Sequence, residues 1–264
     1  MTTQITNNLT LNFNAAETIA ETLPRSLQQT TMGGSAAVSV DIGDLPPLPS
    51  RSMRRIARRS KNSSRGGVVV QLPGWARPRI VFFESRLELN VLYILLARGD
   101  VIDVWEQPPS ISYRDADGKR RSHFFDFLIV LKSGRRIAIA VKPAKIAVRS
   151  KFVSDLKCIR QEMRKDFADD ILLITDQDFT KAEAQNAERY IDFARHKDLG
   201  REQSLKEVIA STSFPATVAE LAAKLDADGE GFRSVFLAIY EGLLTANKTA
   251  LIDSQTTVLA GGVQ

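Results

Sequence analysis

Residues 110–143 read "SISYRDADGKRRSHFFDFLIVLKSGRRIAIAVKP". Two apolar runs, "HFFDFLIVL" and "RIAIAVK", are joined by "KSGR", and a third stretch, "SISYR", is joined to them by "DADGK". Both joints are turn sequences typical of antiparallel hairpins, so the segment reads as three strands in a meander. Strand alternation then sorts the side chains. Phe124, Asp126, Leu128 and Val130 fall on one face of the first run, and Ala138, Ala140 and Lys142 fall on one face of the second. Hairpin pairing brings Asp126, near the start of one strand, beside Ala140 and Lys142, near the end of the next. An aspartate among Phe, Leu and Ile is costly to bury without a partner or a cation, and Lys142 is the charge partner this pairing offers.

Working outward, "FFESRLELNVLYILLARG" places Phe83, Leu87, Val91 and Leu95 at helical spacing, with Gly99 as a stop signal. Glu84 and Glu88, one turn apart, fall on one face of that helix. "VIDVWEQP" is a strand ended by two prolines, "SKFVSDLKCIRQEMRKDF" an amphipathic helix, "ADDILLITDQDF" a buried strand and "TKAEAQNAERYIDFARHK" another helix. Helix, strands, helix, strand is the order of a mixed α/β domain, assigned here to residues 67–198. From residue 199 to 264, helices over "REQSLKEVIAST", "PATVAELAAKLDA" and "EGFRSVFLAIYEGLL" precede a hairpin over "TANKTALIDSQTTVLA", a winged-helix-like arrangement. The last long helix offers Arg233 alone against Glu230 and Glu241, a poor match to the basic and amide side chains of a groove-reading helix. A packing or protein-interaction module is expected there. Ahead of the α/β domain, residues 1–66 read as a disordered tail ending in a basic arm, with "DLPPLPS" as a stiff linker and "VVVQL" after it as a short strand.

The chain has 264 residues, with 44% hydrophobic and 25% charged residues, enough for a substantial core. One cysteine, Cys158, excludes an internal disulfide and a cysteine-based zinc cluster, and two histidines, His123 and His196, argue against a histidine-rich metal site. No run of about 18 unbroken apolar residues spans a membrane, and the polar N-terminus lacks the order of a secretory signal, so a cytoplasmic protein is expected. The net charge of +5 is concentrated. No acid separates Asp44 from Glu84, while Arg51, Arg54, Arg55, Arg58, Arg59, Lys61, Arg65, Arg77 and Arg79 fall between them. Lys142, Lys145, Arg149 and Lys151 form a second basic cluster. Such segments suit a polyanion such as double-stranded DNA, or simply a solvated tail.

A glutamate from a helix, an aspartate from one strand and a lysine from the next form an arrangement suited to phosphodiester hydrolysis, with carboxylates holding Mg²⁺. The arginine-rich arm ending in glycine, "ESRLE" on a helix, "VWEQP", the basic turn, the aspartate strand and the "VKP" strand, over roughly residues 50–150, resemble the TnsA family of transposon endonucleases. The resemblance implies a PD-(D/E)XK restriction-endonuclease-like fold, a mixed sheet flanked by helices, with a small winged-helix-like C-terminal domain. It implies an Mg²⁺-dependent DNA endonuclease acting at mobile-element ends, with Mn²⁺ as a substitute, beside a DDE-type transposase and an AAA+ regulator. Glu88, Asp126 and Lys142 would be catalytic, Glu88 and Asp126 holding metal, with Glu84 and Gln107 in support. Arg54, Arg55, Arg58 and Arg59 of the arm and Lys119, Arg120 and Arg121 of the basic turn would contact DNA. Two positions depart from the family pattern. Phe125 stands where proline usually precedes the aspartate, and Ala140 stands where a Glu or Gln usually precedes the lysine by two residues. Alanine has no side chain to hold a metal; Glu84 and Glu106 are the nearest substitutes, and the backbone carbonyl at 140 is another. The alternative reading is a degenerate nuclease fold kept for DNA binding or assembly in a transposon or phage complex.

Overall fold

The computed structural model describes residues 45–54, 64–225 and 230–262. The chain runs β1 (Gly66–Val70), β2 (Arg79–Phe83), α1 (Arg86–Leu96), β3 (Val101–Glu106), β4 (Ile111–Arg114), β5 (Arg120–His123), β6 (Phe127–Leu131) and β7 (Arg136–Val141). It continues α2 (Ala144–Arg149), α3 (Phe152–Glu162), β8 (Asp170–Ile174), α4 (Lys181–Ala194), α5 (Leu199–Ala210), β9 (Ala216–Thr217), α6 (Val218–Leu225), α7 (Glu230–Tyr240), β10 (Leu244–Thr245) and β11 (Thr257–Ala260). The central sheet has the order β3-β6-β7-β8, antiparallel except for the parallel pair β7–β8, whose crossover is made by α2 and α3. This is the mixed sheet flanked by helices of a restriction-endonuclease-like fold.

Strands β6 and β7 lack polar alternation because both faces of the sheet are covered. One face carries Val104, Phe127, Ile129, Ile137 and Ile139, packed with Val91, Leu92, Leu95 and Leu96 of α1. The other carries Leu128, Ala138 and Ala140, packed with Phe152, Leu156 and Ile159 of α3. Each fully buried aliphatic side chain in these layers contributes about 1.5–3 kcal/mol.

Residues 110–143 hold four strands rather than three. β4 and β5 pair only with each other, and β6 begins afresh after a bend at Phe124–Asp126. The bend sends Phe125 into the α3-side core, edge-on to His123 at a ring separation of 4.7 Å, so an aromatic fits where the family pattern has proline. The first helix also starts later than its apolar spacing predicts. Phe83 closes β2, and Ser85 caps the helix, so the buried stripe is Leu89, Val91, Leu92, Leu95 and Leu96.

A further correction concerns the tail assigned to residues 1–66. Residues 45–54 lie against the fold: the Leu48 N–H donates to the Pro78 carbonyl (2.8 Å) and the Ile80 N–H to the Leu48 carbonyl (2.9 Å). Arg51, read as part of a DNA-binding arm, is an anchor. Its guanidinium meets both Asp103 carboxylate oxygens at 3.1 and 2.6 Å and lies 5.7 and 5.6 Å from the ring centroids of Trp75 and Trp105. The Trp75 indole N–H donates to Asp103 (2.9 Å) and that of Trp105 to the Arg51 carbonyl (2.8 Å), so both tryptophans act in packing. Residues 1–44 and 55–63, with most of the expected tail, lie outside the described residues.

The C-terminal helices α5–α7 surround a separate core with a three-stranded sheet of order β10-β11-β9. Helix α7 is buried along Val235–Ile239, and Arg233 is engaged by Glu230 (2.9 Å) and the Phe193 ring (5.3 Å). Helix α4 belongs to both cores. It packs Ala187 beside Leu89 and Tyr93 of α1, and Tyr190 and Phe193 against the α7 aromatics. Its Asn186, fully buried, donates to the carbonyls of Lys248 (3.1 Å) and Ala250 (2.8 Å) and accepts from the Ile252 N–H (3.1 Å). Among the described residues, no helix is long and apolar enough to cross a membrane.

Candidate active site

The N-terminus of α1 fixes Glu88. The run Ser85-Arg86-Leu87-Glu88 is a capping-box sequence, and the Ser85 hydroxyl accepts the Glu88 N–H (3.1 Å). The Glu88 carboxylate folds back on the cap without bonding the Ser85 N–H: one oxygen accepts from the Ser85 hydroxyl (2.9 Å) and the other from the Glu84 N–H (2.7 Å). These bonds hold the side chain at the helix start, facing a cleft. Burial raises the Glu88 pKa above the usual carboxylate range, an effect tempered by those two hydrogen bonds. Glu84 itself stands before the helix rather than on its face, ion-paired to Arg54, so it does not share a helical turn with Glu88 as its spacing suggests.

Asp126 is positioned by three backbone hydrogen bonds, two with β7 and one with Gln107. Its N–H donates to the Ile139 carbonyl (2.9 Å), its carbonyl accepts from the Gln107 N–H (2.9 Å), and its Oδ2 accepts from the Val141 N–H (2.7 Å). Its Oδ1 lies 3.4 Å from Gln107 Nε2. The carboxyl pKa is pushed up to about 7, first by burial and then by the Glu88 charge; the Val141 N–H, Lys142 and Arg54 act in the opposite direction. Gln107 adopts a left-handed backbone (φ 44°), which turns its N–H to Asp126 while its carbonyl accepts from the Met53 N–H (3.0 Å).

Lys142 follows β7, its N–H bonded to the Ile174 carbonyl (3.1 Å) and its Nζ 4.3 Å from the centroid of the Phe152 ring. No ion pair joins it to Asp126 among the described residues, so the aspartate's direct partners are Val141 and Gln107, not the lysine expected from strand alternation. Glu88, Gln107, Asp126 and Lys142 nonetheless line one cleft of about 520 Å³, with Arg54, Ser85 and His123.

The remaining candidates lie elsewhere. Glu106 is fully buried and turned to the strap before Arg54, where it accepts from the Ser50 hydroxyl and the Arg51 N–H (3.1 Å); it does not line the cleft and does not replace the missing side chain at 140. Ala140 is packed in the α3-side core. Lys119, Arg120 and Arg121 sit on the exposed β4–β5 hairpin, where Arg121 pairs with Asp115 (2.9 Å). Arg55, Arg58 and Arg59 lie outside the described residues.

Two lining residues escaped the sequence reading. Ser85 was legible as the first residue of a capping box. His123 carried no signal beyond being one of two histidines; burial, then Lys142, pushes its pKa down to about 4, so it is neutral at pH 7, with Nε2 buried and unpartnered.

As a cation site, the cleft offers the two carboxylates of Glu88 and Asp126 and a single neutral imidazole, His123, and no group of three His, Cys, Asp or Glu side chains converges among the described residues. Mg²⁺ commonly takes one or two carboxylates and keeps several waters, whereas zinc prefers nitrogen and sulfur. Two carboxylates whose ionisation is penalised by burial, that of Asp126 further by the Glu88 charge, also form a donor pair that a cation would stabilise. The residues present therefore fit Mg²⁺ or Mn²⁺.

Residues 98–194 match the family model for the N-terminal domain of TnsA-like endonucleases. This segment is similar to a TnsA-like endonuclease domain. The match spans Gln107, His123, Asp126 and Lys142, together with β3–β8, α3 and α4. Glu88 and Arg54 precede it and reach the TnsA-like cleft through α1 and the strap. No curated protein matched the chain.

Proposed function

We propose that the protein is a metal-dependent DNA endonuclease related to TnsA that hydrolyses a phosphodiester bond at mobile-element ends. The observation that carries this reading is the convergence of the Glu88 and Asp126 carboxylates with Lys142 in one cleft, Asp126 and Lys142 lying within the TnsA-like domain. Glu88 and Asp126 would hold Mg²⁺, which when bound polarises the scissile phosphate and makes water more acidic. The Val141 N–H and Gln107 keep the Asp126 carboxylate aimed into the cleft. Lys142, its ammonium on the Phe152 face, offsets charge on the phosphate and orients the attacking water. A DDE-type transposase and an AAA+ regulator are the proposed partners, met through the winged-helix-like C-terminal region in the cytoplasm. The engagement of Arg233 within the protein supports a protein-contacting rather than groove-reading role for α7.

One observation favours a second reading. Ala140 removes a side-chain ligand and is packed as core, which suits a nuclease fold kept for DNA binding or assembly. Calorimetry with Mn²⁺ on the intact protein and on Asp126→Ala separates the two. Binding that vanishes in the variant supports the nuclease; no binding in either protein up to millimolar Mn²⁺ overturns it in favour of the assembly role.

A further inference from the structure

One wall of the cleft comes from a segment that composition marks as a linker. Residues 45–54 are fastened along their length: Leu48 to Pro78 and Ile80, Ser50 to Glu106, Arg51 to Asp103 between two indoles, and Met53 to Gln107. The last fastening, at Met53, is made to the same residue that holds Asp126. Arg54 comes next, so its guanidinium is delivered to the cleft by a fixed backbone. There it pairs with Glu84 and lies 5.8 Å from the Phe124 ring centroid, and it lines the cleft with Glu88, Asp126 and Lys142.

We infer that Arg54 is a substrate-binding residue held in reserve: its guanidinium rests on Glu84 in the free protein and exchanges that carboxylate for a DNA backbone phosphate. The inference rests on the cleft being where DNA enters. The Arg54 side chain is 41% exposed, and an ion pair so placed is worth about 0–1 kcal/mol. Glu84 takes one nitrogen of the guanidinium, whereas a phosphate can take the two-pronged fork and its binding also releases counterions from DNA, so the exchange runs downhill. The strap limits the ordering that remains to be done when the phosphate arrives. Glu84 keeps the guanidinium extended toward the cleft until then.

The test is a double-mutant cycle on affinity for a fluorescent DNA duplex, read by anisotropy across a salt series in metal-free buffer. Arg54→Ala is expected to weaken binding about 3–10-fold and to reduce the salt slope by about one. Glu84→Gln is expected to tighten binding about 2–5-fold in the wild-type background and to lose most of that gain beside Arg54→Ala. An unchanged affinity and slope in Arg54→Ala, an equal gain from Glu84→Gln in both backgrounds, or no duplex binding by the wild-type protein at low salt overturns the inference. Equal melting temperatures across the four proteins exclude a folding effect, and Arg54→Lys, which keeps charge but loses the fork, should fall between wild type and Arg54→Ala. Mn²⁺ calorimetry keeps the two readings apart. Asp126-dependent Mn²⁺ binding with a flat cycle removes the Arg54 role and leaves the nuclease; the expected cycle without Mn²⁺ binding keeps the phosphate contact and removes the metal chemistry.

Discussion

The backbone N–H of Val141 donates to Oδ2 of Asp126 at 2.7 Å, so the strand that delivers Lys142 also aims the aspartate. The Asp126 N–H returns a bond to the Ile139 carbonyl on the same strand. Carboxylate and lysine are therefore set by one stretch of backbone rather than by contact with each other, and their spacing does not depend on an ion pair that a metal or a phosphate would have to break.

Burial of Asp126 makes stability fall with pH. Its carboxyl is pushed up to about 7 in the fold, against an ordinary value of 3.8, so between those values the folded protein holds a proton that the unfolded chain has released. The favourable contribution is complete below about pH 4, is lost as pH rises to 7, and stays lost above. Asp126→Asn should flatten this slope and be more stable than wild type at pH 8 by ~2–4 kcal/mol. Urea unfolding at pH 5 and pH 8 checks it; a parallel pH dependence in both proteins would contradict the assignment.

The same titration links metal to protons. Mn²⁺ must displace the Asp126 proton below pH 7, so its affinity should drop about tenfold per pH unit there and level off above. Calorimetry in buffers of different ionisation enthalpy should show close to one proton released per ion at pH 6. A flat profile from pH 5 to 8 would separate Asp126 from the metal.

Ser85→Ala removes the helix cap and one of the two hydrogen bonds to the Glu88 carboxylate. A loss of ~1 kcal/mol is expected in chemical denaturation. A cap alone would stop there, whereas a cap that also aims Glu88 should weaken Mn²⁺ binding several-fold in the same variant.

Arg51→Ala should release the strap. Asp103 loses its paired guanidinium and both indoles lose their filling, at ~1–3 kcal/mol. Hydrogen exchange should then quicken at the Met53 N–H and at the Leu48 and Ile80 amides, while the amides of β6 and β7 hold their protection. Uniform loss across all of these would mean that the strap is part of the global folding unit.

The sheet and the strand ends were legible because they follow from local chemistry. "KSGR" turns at Gly134 with φ 80°, which fixes the β6–β7 hairpin, and pairing of Phe127 with Ile139 sets Asp126 at the level of Ala140. What escaped depends on contacts distant in sequence. "DLPPLPS" has a linker's composition, and only Trp75, Trp105 and Asp103, with Glu106 and Gln107, turn its continuation into a strap. Glu84 reads as helical by spacing until Ser85 takes the cap and leaves it outside. Lys142 faces Phe152 rather than Asp126 because α3 covers that face of the sheet, which strand alternation alone does not reveal.

Helix α4, with Asn186 locked into the 248–252 loop and Ala187 against α1, changes what it means to take this molecule apart. Cutting after residue 198 would strip the cover from Tyr190 and Phe193 and leave an aromatic face wet on the remaining piece. The C-terminal helices are thus not an appendage on a hinge. Whatever moves them also moves α4, and α4 lies directly against α1, the helix that carries Glu88.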